Sequence, residues 1–237
     1  MFEANAMPTT PTMHTMPSMP IKQAMLEVQN LSVWYGQAQA LFGVSLQVAA
    51  GELVVLQGLN GAGKSTLLKA IMGLCTSVAG VVSYQKQSIQ GPGKAWQPHR
   101  RAQAGLGFVA EDRRLFTALS VHENLWIAAP RNAQSRALEQ RALDLFPALK
   151  HMLQRPAAHM SGGEQQMLAI ARTLMGAPQL LLLDEPCEGI APVLVEAIAQ
   201  ALLALQAQGM PMLVAEQNQV LAAKATRTLH LVAGHLA

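Results

Sequence analysis

Four short apolar runs recur along the chain, at residues 53–56, 106–109, 180–183 and 212–215. Each is about as long as a strand and carries no charged or hydrogen-bonding side chain, which is typical of strands covered on both faces of a parallel sheet. Apolar residues at helical spacing fill much of the sequence around them. This alternation of strand and helix predicts an α/β fold with a mainly parallel core sheet.

Three further stretches modify this picture. Apolar and polar residues alternate at 26–28 and 44–48, which predicts a smaller antiparallel β subdomain. The stretch 112–160 has helical spacing without a strand pattern, so we expect an inserted helical subdomain there. Residues 85–100 contain a Gly-Pro-Gly turn signal and are predicted to form a loop.

The first apolar run leads into a loop with the pattern G-x-x-x-x-G-K-[ST]. Its glycines let successive backbone N–H groups point inward, and the N-terminus of the next helix adds to them, so the segment suits a polyphosphate. We expect the lysine to reach the β- and γ-phosphates and the serine hydroxyl to bind Mg²⁺. The strand–loop–helix context argues against a chance glycine-rich turn. The phosphate loop comprises Gly58, Leu59, Asn60, Gly61, Ala62, Gly63, Lys64, Ser65 and Thr66.

The acidic pair Asp184-Glu185 follows the apolar run 180–183. In an open α/β sheet, ligands bind at this carboxyl end of the strands. One carboxylate can complete the Mg²⁺ environment that Ser65 begins, and the other can accept a proton from an attacking water. Alone, the pair fits a polar strand end equally well, but the upstream phosphate loop favours the functional interpretation.

The segment Ser161-Gly162-Gly163-Glu164 permits two interpretations. Ser-x-x-Glu is a capping box, which satisfies the first N–H groups of a helix. A cap does not need two consecutive glycines, however. These permit close approach of a ligand, and the helix N-terminus favours an anion.

Composition narrows the function further. Charged residues are 13% and hydrophobic residues 51% of the 237, yet no apolar run approaches the length that crosses a bilayer. The net charge of +3 comes without a long basic stripe, so nucleic-acid binding is not indicated. The two cysteines are far apart in sequence, which favours reduced thiols in the cytosol. Residues 1–24 are rich in Met, Pro and Thr and are predicted to be a disordered extension.

Together, these motifs resemble the ATP-binding subunit of an ABC transporter. The phosphate loop, the Ser-Gly-Gly signature and the strand with its acidic pair stand in the family's order, and the resemblance covers residues 25–237. It implies a P-loop NTPase fold that binds ATP and Mg²⁺ and hydrolyses ATP. The sequence at 33–36 favours a core position for Tyr35, whereas the resemblance implies that Tyr35 stacks on adenine.

The resemblance also implies roles for the other motifs. The phosphate loop holds the ATP phosphates, Asp184 is the Mg²⁺-associated acid and Glu185 is the general base. Ser161, Gly162 and Gly163 contact the γ-phosphate bound on the opposite subunit. One chain therefore supplies half of each site, and a second ATPase subunit, arranged head to tail, is needed to close it.

Four positions depart from the general family pattern: Glu111, Glu164, Ala191 and Gln217. Glu111 stands where a Gln usually senses Mg²⁺ and the water, and Gln217 stands where a switch His usually meets the γ-phosphate. A neutral amide can donate to phosphate but cannot become cationic. These departures resemble one branch, the ATPase subunits of branched-chain amino acid importers and of related urea and short-amide importers. The chain stops soon after its last predicted strand, so the family's final helical segment is expected to be missing.

That branch implies a peripheral ATPase subunit on the cytoplasmic face of the inner membrane. Its partners would be transmembrane permease subunits and, indirectly, an extracytoplasmic solute-binding protein. The second ATPase subunit would be a different chain, as the branch suggests, or a copy of this one. One alternative is a urea or amide importer, and another is a non-transport ABC ATPase acting on nucleic acid or ribosomes. Gln217 and Ala191 motivate a third, a binding-only regulatory ATPase.

Overall fold

The computed structural model describes residues 23–237, so the predicted disordered extension lies outside the described residues except at its last positions. Two β-sheets are flanked by helices. None of the helices in the described part of the chain is both long and apolar enough to cross a membrane.

The two sheets differ in strand direction. The strands are β1 Ala24–Tyr35, β2 Ala38–Ala49, β3 Leu53–Gln57, β4 Ser77–Tyr84, β5 Gln87–Gly91, β6 Lys94–Ala95, β7 Leu106–Val109, β8 Leu180–Asp184, β9 Met212–Ala215, β10 Arg227–Val232 and β11 His235–Leu236. One sheet has the order β2-β1-β4-β5-β6 and is antiparallel throughout. The core sheet has the order β11-β10-β3-β9-β8-β7 and is parallel except at β11. Both predicted sheets are therefore confirmed.

Helices cover the core sheet and fill the segment between β7 and β8. The α-helices are α1 Lys64–Met72, α2 Pro98–Gln103, α3 Val121–Trp126, α4 Ser135–Leu145, α5 Gly162–Met175, α6 Pro192–Ala207 and α7 Gln219–Ala222. Two 3-10 helices, Pro147–Met152 and Ala157–His159, follow α4. The chain from α3 to the second 3-10 helix is mainly helical, and the exact bounds of a helical subdomain stay a prediction.

The continuous apolar runs are explained by two hydrophobic cores, one on each face of the core sheet. On β3, Leu53 and Val55 join a core with α5 and α6, whereas Val54 and Leu56 join a core with α1 and the antiparallel sheet. Alternate side chains of a strand point to opposite faces, so a strand buried on both faces must be apolar at every position. This arrangement fixes the loops at both ends of the core strands.

The structure corrects two predictions. Residues 85–100 are not a loop, because they form β5, β6 and the start of α2. Their Gly-Pro-Gly signal marks the tight turn between the two short strands of a hairpin. Tyr35 is not a core residue either, since it lies at the end of β1 and is 53% exposed.

Arg101 on α2 is fully buried and connects the antiparallel sheet to α1. Its Nη1 donates to the carbonyl oxygens of Ala70 and Ile71, at 3.1 and 2.6 Å, in the last turn of α1. Nη2 donates to Ile89 O on β5 at 3.0 Å, and Nε donates to Trp96 O at 2.9 Å. Burial lowers the pKa of Arg101 to about 10, so the guanidinium stays charged at neutral pH. It thereby caps the C-terminus of the helix whose N-terminus completes the phosphate loop.

Replacing Arg101 with Met should lower the free energy of unfolding by roughly 3 kcal/mol, because several buried carbonyl oxygens lose their donors. Urea denaturation followed by circular dichroism measures the change. Arg100→Met is the matched control. Arg100 is exposed and lies 4.3 Å from the centre of the Trp96 ring, a contact that contributes about 1 kcal/mol or less. Equal losses in the two variants would contradict the capping role.

Candidate functional site

Parallel pairing brings three loops together at one edge of the core sheet. Ala215 on β9 pairs with Leu56 on β3 and with Asp184 on β8. The phosphate loop, the acidic pair and the loop after β9 therefore begin side by side. All three lie at the carboxyl ends of parallel strands, where open α/β sheets bind ligands.

The glycines of the phosphate loop are required by backbone conformation and by packing. Gly61 and Gly63 have φ angles of 80° and 104°, in the left-handed region that favours glycine. A Cβ on Gly63 would lie 2.8 Å from Leu41 Cδ2. One on Gly58 would lie 2.3 Å from the carbonyl oxygen of Leu231 on β10. Larger residues at these positions would displace the loop from the sheet.

Lys64 is held inside the loop by three oxygen atoms. Its Nζ donates to Gly58 O at 2.8 Å and to Leu59 O at 3.2 Å, and it lies 2.9 Å from Glu185 Oε1. The Lys64 and Glu185 side chains are only 4% and 6% exposed, so solvent ions screen this pair little. Glu185 also has a φ of 47°, a strained value for a residue with a long side chain.

Ser65 and Asp184 form the second polar contact of the site. Ser65 Oγ donates to Asp184 Oδ1 at 2.8 Å. Within residues 23–237, the buried Asp184 Oδ2 has no hydrogen-bond partner. Burial raises the pKa of Asp184, and the bond from Ser65 opposes that shift. Mg²⁺ prefers oxygen ligands. The Ser65 hydroxyl and the unpartnered oxygen of the Asp184 carboxylate are ligands of this kind.

A cavity of about 320 Å³ lies in front of the phosphate loop. It is lined by Ala40, Asn60, Gly61, Gly63, Lys64, Ser65, Thr66, Glu111, Glu185 and Glu188. Gln217 reaches its edge, since Nε2 donates to Asn60 Oδ1 and lies 3.4 Å from Glu185 Oε1. The Tyr35 hydroxyl lies 3.5 Å from Thr66 Oγ1. The structure thus brings the predicted residues together at and next to this cavity, with Asp184 lining a neighbouring one, and only the Ser-Gly-Gly segment lies apart.

The Ser-Gly-Gly segment begins α5 and, among the described residues, is not part of that cavity lining. The Glu164 backbone N–H donates to Ser161 Oγ at 3.4 Å, and the Ser161 N–H donates to Glu164 Oε2 at 2.7 Å. The predicted capping box is confirmed. A Cβ on Gly163 would lie 2.3 Å from Leu194 Cδ1 and 3.0 Å from Ile190 Cγ2, so close packing against these two side chains also favours a glycine there. Gly162 has no equally close packing neighbour.

Two acids near the site were missed by the sequence analysis. Glu188 lines the cavity, and Glu216 is buried directly before Gln217 in the chain. Each follows the end of a core strand by one to four residues. The same signal identified Asp184 and Glu185, and it places an acid near the site without indicating which groups that acid contacts.

The sequence matches a known protein family. The sequence profile of the ABC transporter family matches residues 41–188. The chain belongs to this family. It is 39% identical over 196 residues to the high-affinity branched-chain amino acid transport ATP-binding protein BraG of Pseudomonas aeruginosa, covering 82% of each chain. It is 35% identical over 197 residues to the probable branched-chain amino acid transport ATP-binding protein LivF of Archaeoglobus fulgidus, again covering 82% of each.

The fold agrees with that assignment. A solved nucleotide-free ATP-binding cassette from an ABC transporter superposes with a TM-score of 0.81 at 25% identity, covering 90% of both chains. The predicted P-loop NTPase fold and the predicted ATPase activity are confirmed. The chain is an ABC transporter ATPase subunit that binds and hydrolyses ATP.

The buried acid Asp184 should make the nucleotide-free subunit less stable at neutral pH. Its folded-state pKa lies above the unfolded value, so the folded state binds the proton more tightly and acidification favours folding through this group. Asp184→Asn should therefore be more stable than wild type at pH 7.5, by about 1–2 kcal/mol, because an amide costs less to bury than an unpaired carboxylate oxygen. The difference should narrow as the pH falls towards 4.

Urea unfolding at several pH values, without nucleotide, measures this difference. The control is Asp112→Asn, since Asp112 is exposed on a neighbouring loop. It should change the stability by less than about 0.5 kcal/mol at any pH. Lower stability of Asp184→Asn at pH 7.5 would show that its buried carboxylate is well compensated.

Proposed function

We propose that this ATPase subunit energises an importer for branched-chain or other hydrophobic amino acids. The observation that carries the proposal is the similarity to BraG and LivF, two transport proteins from distant organisms that are named for this substrate class. The segments 111–116, 160–166 and 216–218, which resemble that branch, lie at the loop after β7, the start of α5 and the loop after β9.

The phosphate loop would hold the ATP phosphates on its backbone N–H groups and on Lys64. Lys64 already points into the loop, so it needs only a small movement to exchange a carbonyl partner for a phosphate oxygen. Tyr35 would stack on adenine, because its half-exposed ring stands beside the first turn of α1. Base stacking needs such an exposed face and contributes about 1–3 kcal/mol.

Ser65, Asp184 and Glu111 would hold Mg²⁺ together with ATP. Ser65 Oγ and Asp184 Oδ1 are 2.8 Å apart, and the second oxygen of Asp184 is buried without a partner in the described chain. Glu111 lines two cavities, one with Ser65 and the other with Asp184. When bound, the ion would neutralise charge that develops on the transferred phosphoryl group.

Glu185 would act as the general base. It lines the cavity beside Lys64 and Ser65, and its backbone N–H is fixed by Ala215 O at 2.9 Å. Its carboxylate can accept a proton from a water aimed at the γ-phosphate. Gln217, 3.4 Å from Glu185 Oε1, would donate its amide hydrogens and so orient either the carboxylate or the phosphate.

Closing the site would require a second ATPase subunit, arranged head to tail and, as in the importer branch, a different chain. The signature at Ser161, Gly162 and Gly163 would meet the γ-phosphate bound by the partner, and its position outside the cavity lining described in this chain is consistent with that role. The N-terminus of a 14-residue helix favours such an anion.

The closing and opening of the two ATPase subunits would be transmitted to the permease through the loop after β7. Arg113 Nε and Nη1 donate to Gln166 and Gln165 on α5, at 3.2 and 3.3 Å. Arg172 on α5 donates to the carbonyl oxygens of Arg113 and Arg114. The loop that carries Glu111 is thus tied to the signature helix and the helices packed on it.

The complex would sit on the cytoplasmic face of the inner membrane and receive substrate from an extracytoplasmic binding protein.

Glu185→Gln should leave ATP affinity within about threefold of wild type but lower hydrolysis by the assembled complex at least about a hundredfold, because the amide cannot accept the proton. Phosphate release measures turnover, and fluorescent nucleotide titration measures affinity. Glu27→Gln, a partly exposed change on β1 away from the cavity, is the control and should match wild type. Unchanged turnover in Glu185→Gln would contradict the proposal that Glu185 is the general base.

The substrate class is tested by purifying the chain with its native partners and reconstituting the complex in proteoliposomes. We expect permease subunits to co-purify and labelled leucine to accumulate only with ATP. Uptake of labelled urea instead would favour the amide branch. Recovery of ribosomes or DNA would point to a non-transport ATPase. Nucleotide binding without phosphate release would point to a regulatory ATPase.

A further inference from the structure

Glu216 lies behind the site and is almost fully buried, with 2% of its surface exposed. Its side chain accepts three backbone hydrogen bonds. Oε1 accepts from the N–H groups of Gln217 and Asn218, at 2.8 and 2.9 Å, and Oε2 accepts from the Cys187 N–H at 2.9 Å. The two oxygens therefore bind two different loops.

These two loops carry the groups that face the nucleotide cavity. Cys187 follows Glu185 by two positions, and Gln217 follows Glu216 directly. The backbone of Glu216 is also anchored, since its N–H donates to Leu56 O at 3.1 Å, at the end of the strand that leads into the phosphate loop. One residue thus connects all three strand ends that form the site.

Burying a charged carboxylate at this position is energetically unfavourable. Burial raises the pKa of Glu216, which shows that the protein disfavours its charge, and the backbone N–H groups only partly offset the shift. A Ser or Thr hydroxyl could satisfy one loop but cannot reach both. The acid is therefore explained by the need for two acceptor atoms pointing in opposite directions.

We propose that Glu216 is a positioning residue that couples the Gln217 loop to the Glu185 loop, so that a γ-phosphate sensed by Gln217 sets the geometry of Glu185 and of the segment after it. The inference rests on the roles proposed above for Gln217 and Glu185, but not on the transported substrate. Glu216 contacts backbone rather than nucleotide, so its influence on turnover is indirect.

Glu216→Gln separates coupling from packing. The amide has a similar shape but only one acceptor oxygen, so one of the two loops loses its partner and faces an N–H donor instead. Turnover of the assembled complex should fall about tenfold while ATP affinity changes less than about threefold. Glu27→Gln is again the control, as a partly exposed acid-to-amide change on another element.

Cys187 provides a direct readout of the coupling. The chain has two cysteines, so in a Cys75→Ser background Cys187 is the single thiol. Burial, followed by the charge of Glu216, raises its pKa and makes the thiol slow to react. Binding of a non-hydrolysable ATP analogue to the full chain should slow maleimide labelling of Cys187 by roughly threefold or more, because it closes both loops. In Glu216→Gln, labelling should be faster and no longer respond to nucleotide.

A purely structural role would raise the labelling rate but leave its nucleotide dependence intact, and that result would overturn the proposal. So would equal turnover and equal protection in wild type and Glu216→Gln. If Glu216→Gln does not fold, Glu216→Asp retains both oxygens at shorter reach and should lose part of the protection. Glu185→Gln should lose hydrolysis but keep nucleotide protection of Cys187, so failure of the general-base assignment is distinguishable from failure of the coupling.

Discussion

The buried ion pair between Lys64 and Glu185 is the contact on which the site depends. It joins the start of α1 to the end of β8 across 2.9 Å, in surroundings where solvent weakens it little. Asp184 and Glu216 lie at the same sheet edge, and burial raises the pKa of both. The site therefore concentrates negative charge where it costs stability. Lys64, Lys69, the Ser65 hydroxyl and backbone N–H donors offset this cost. Mg²⁺ and the phosphates of ATP would therefore enter a pocket that is already charged. They would change how its acids and its lysine pair with one another.

The rest of the fold holds that arrangement in place. The strands β3, β7, β8 and β9 are anchored on both faces, so the loops at their carboxyl ends start from fixed positions. Arg101 fixes the far end of α1 through carbonyl oxygens of the helix and of the antiparallel sheet. The same sheet carries Tyr35 beside Thr66. The antiparallel layer thereby sets the position of Tyr35 relative to the phosphate loop.

Local patterns predicted the core well because they report a physical requirement at each position. A strand buried on both faces must be continuously apolar, and a phosphate loop must be rich in glycine. The hairpin at 85–100 was missed because its strands are too short to show alternation. Glu216 and Arg101 were missed for a different reason. Their roles depend on partners far away in sequence, such as Cys187 for the first, and no short-range pattern encodes such a contact.

Gln217, which stands where the family usually has a histidine, has its backbone N–H bound by Glu216. A histidine at this position could carry charge and would titrate near neutral pH, whereas glutamine offers fixed neutral donors at any physiological pH. A neutral donor attracts a γ-phosphate less strongly, so its contribution depends more on being held in the right place. Glu216 supplies that restraint by binding the Gln217 backbone directly, and Asn60 holds the side-chain amide. In the proposed site, the loop after β9 would therefore combine a weaker contact from Gln217 to the γ-phosphate with a firmer support of its backbone by Glu216.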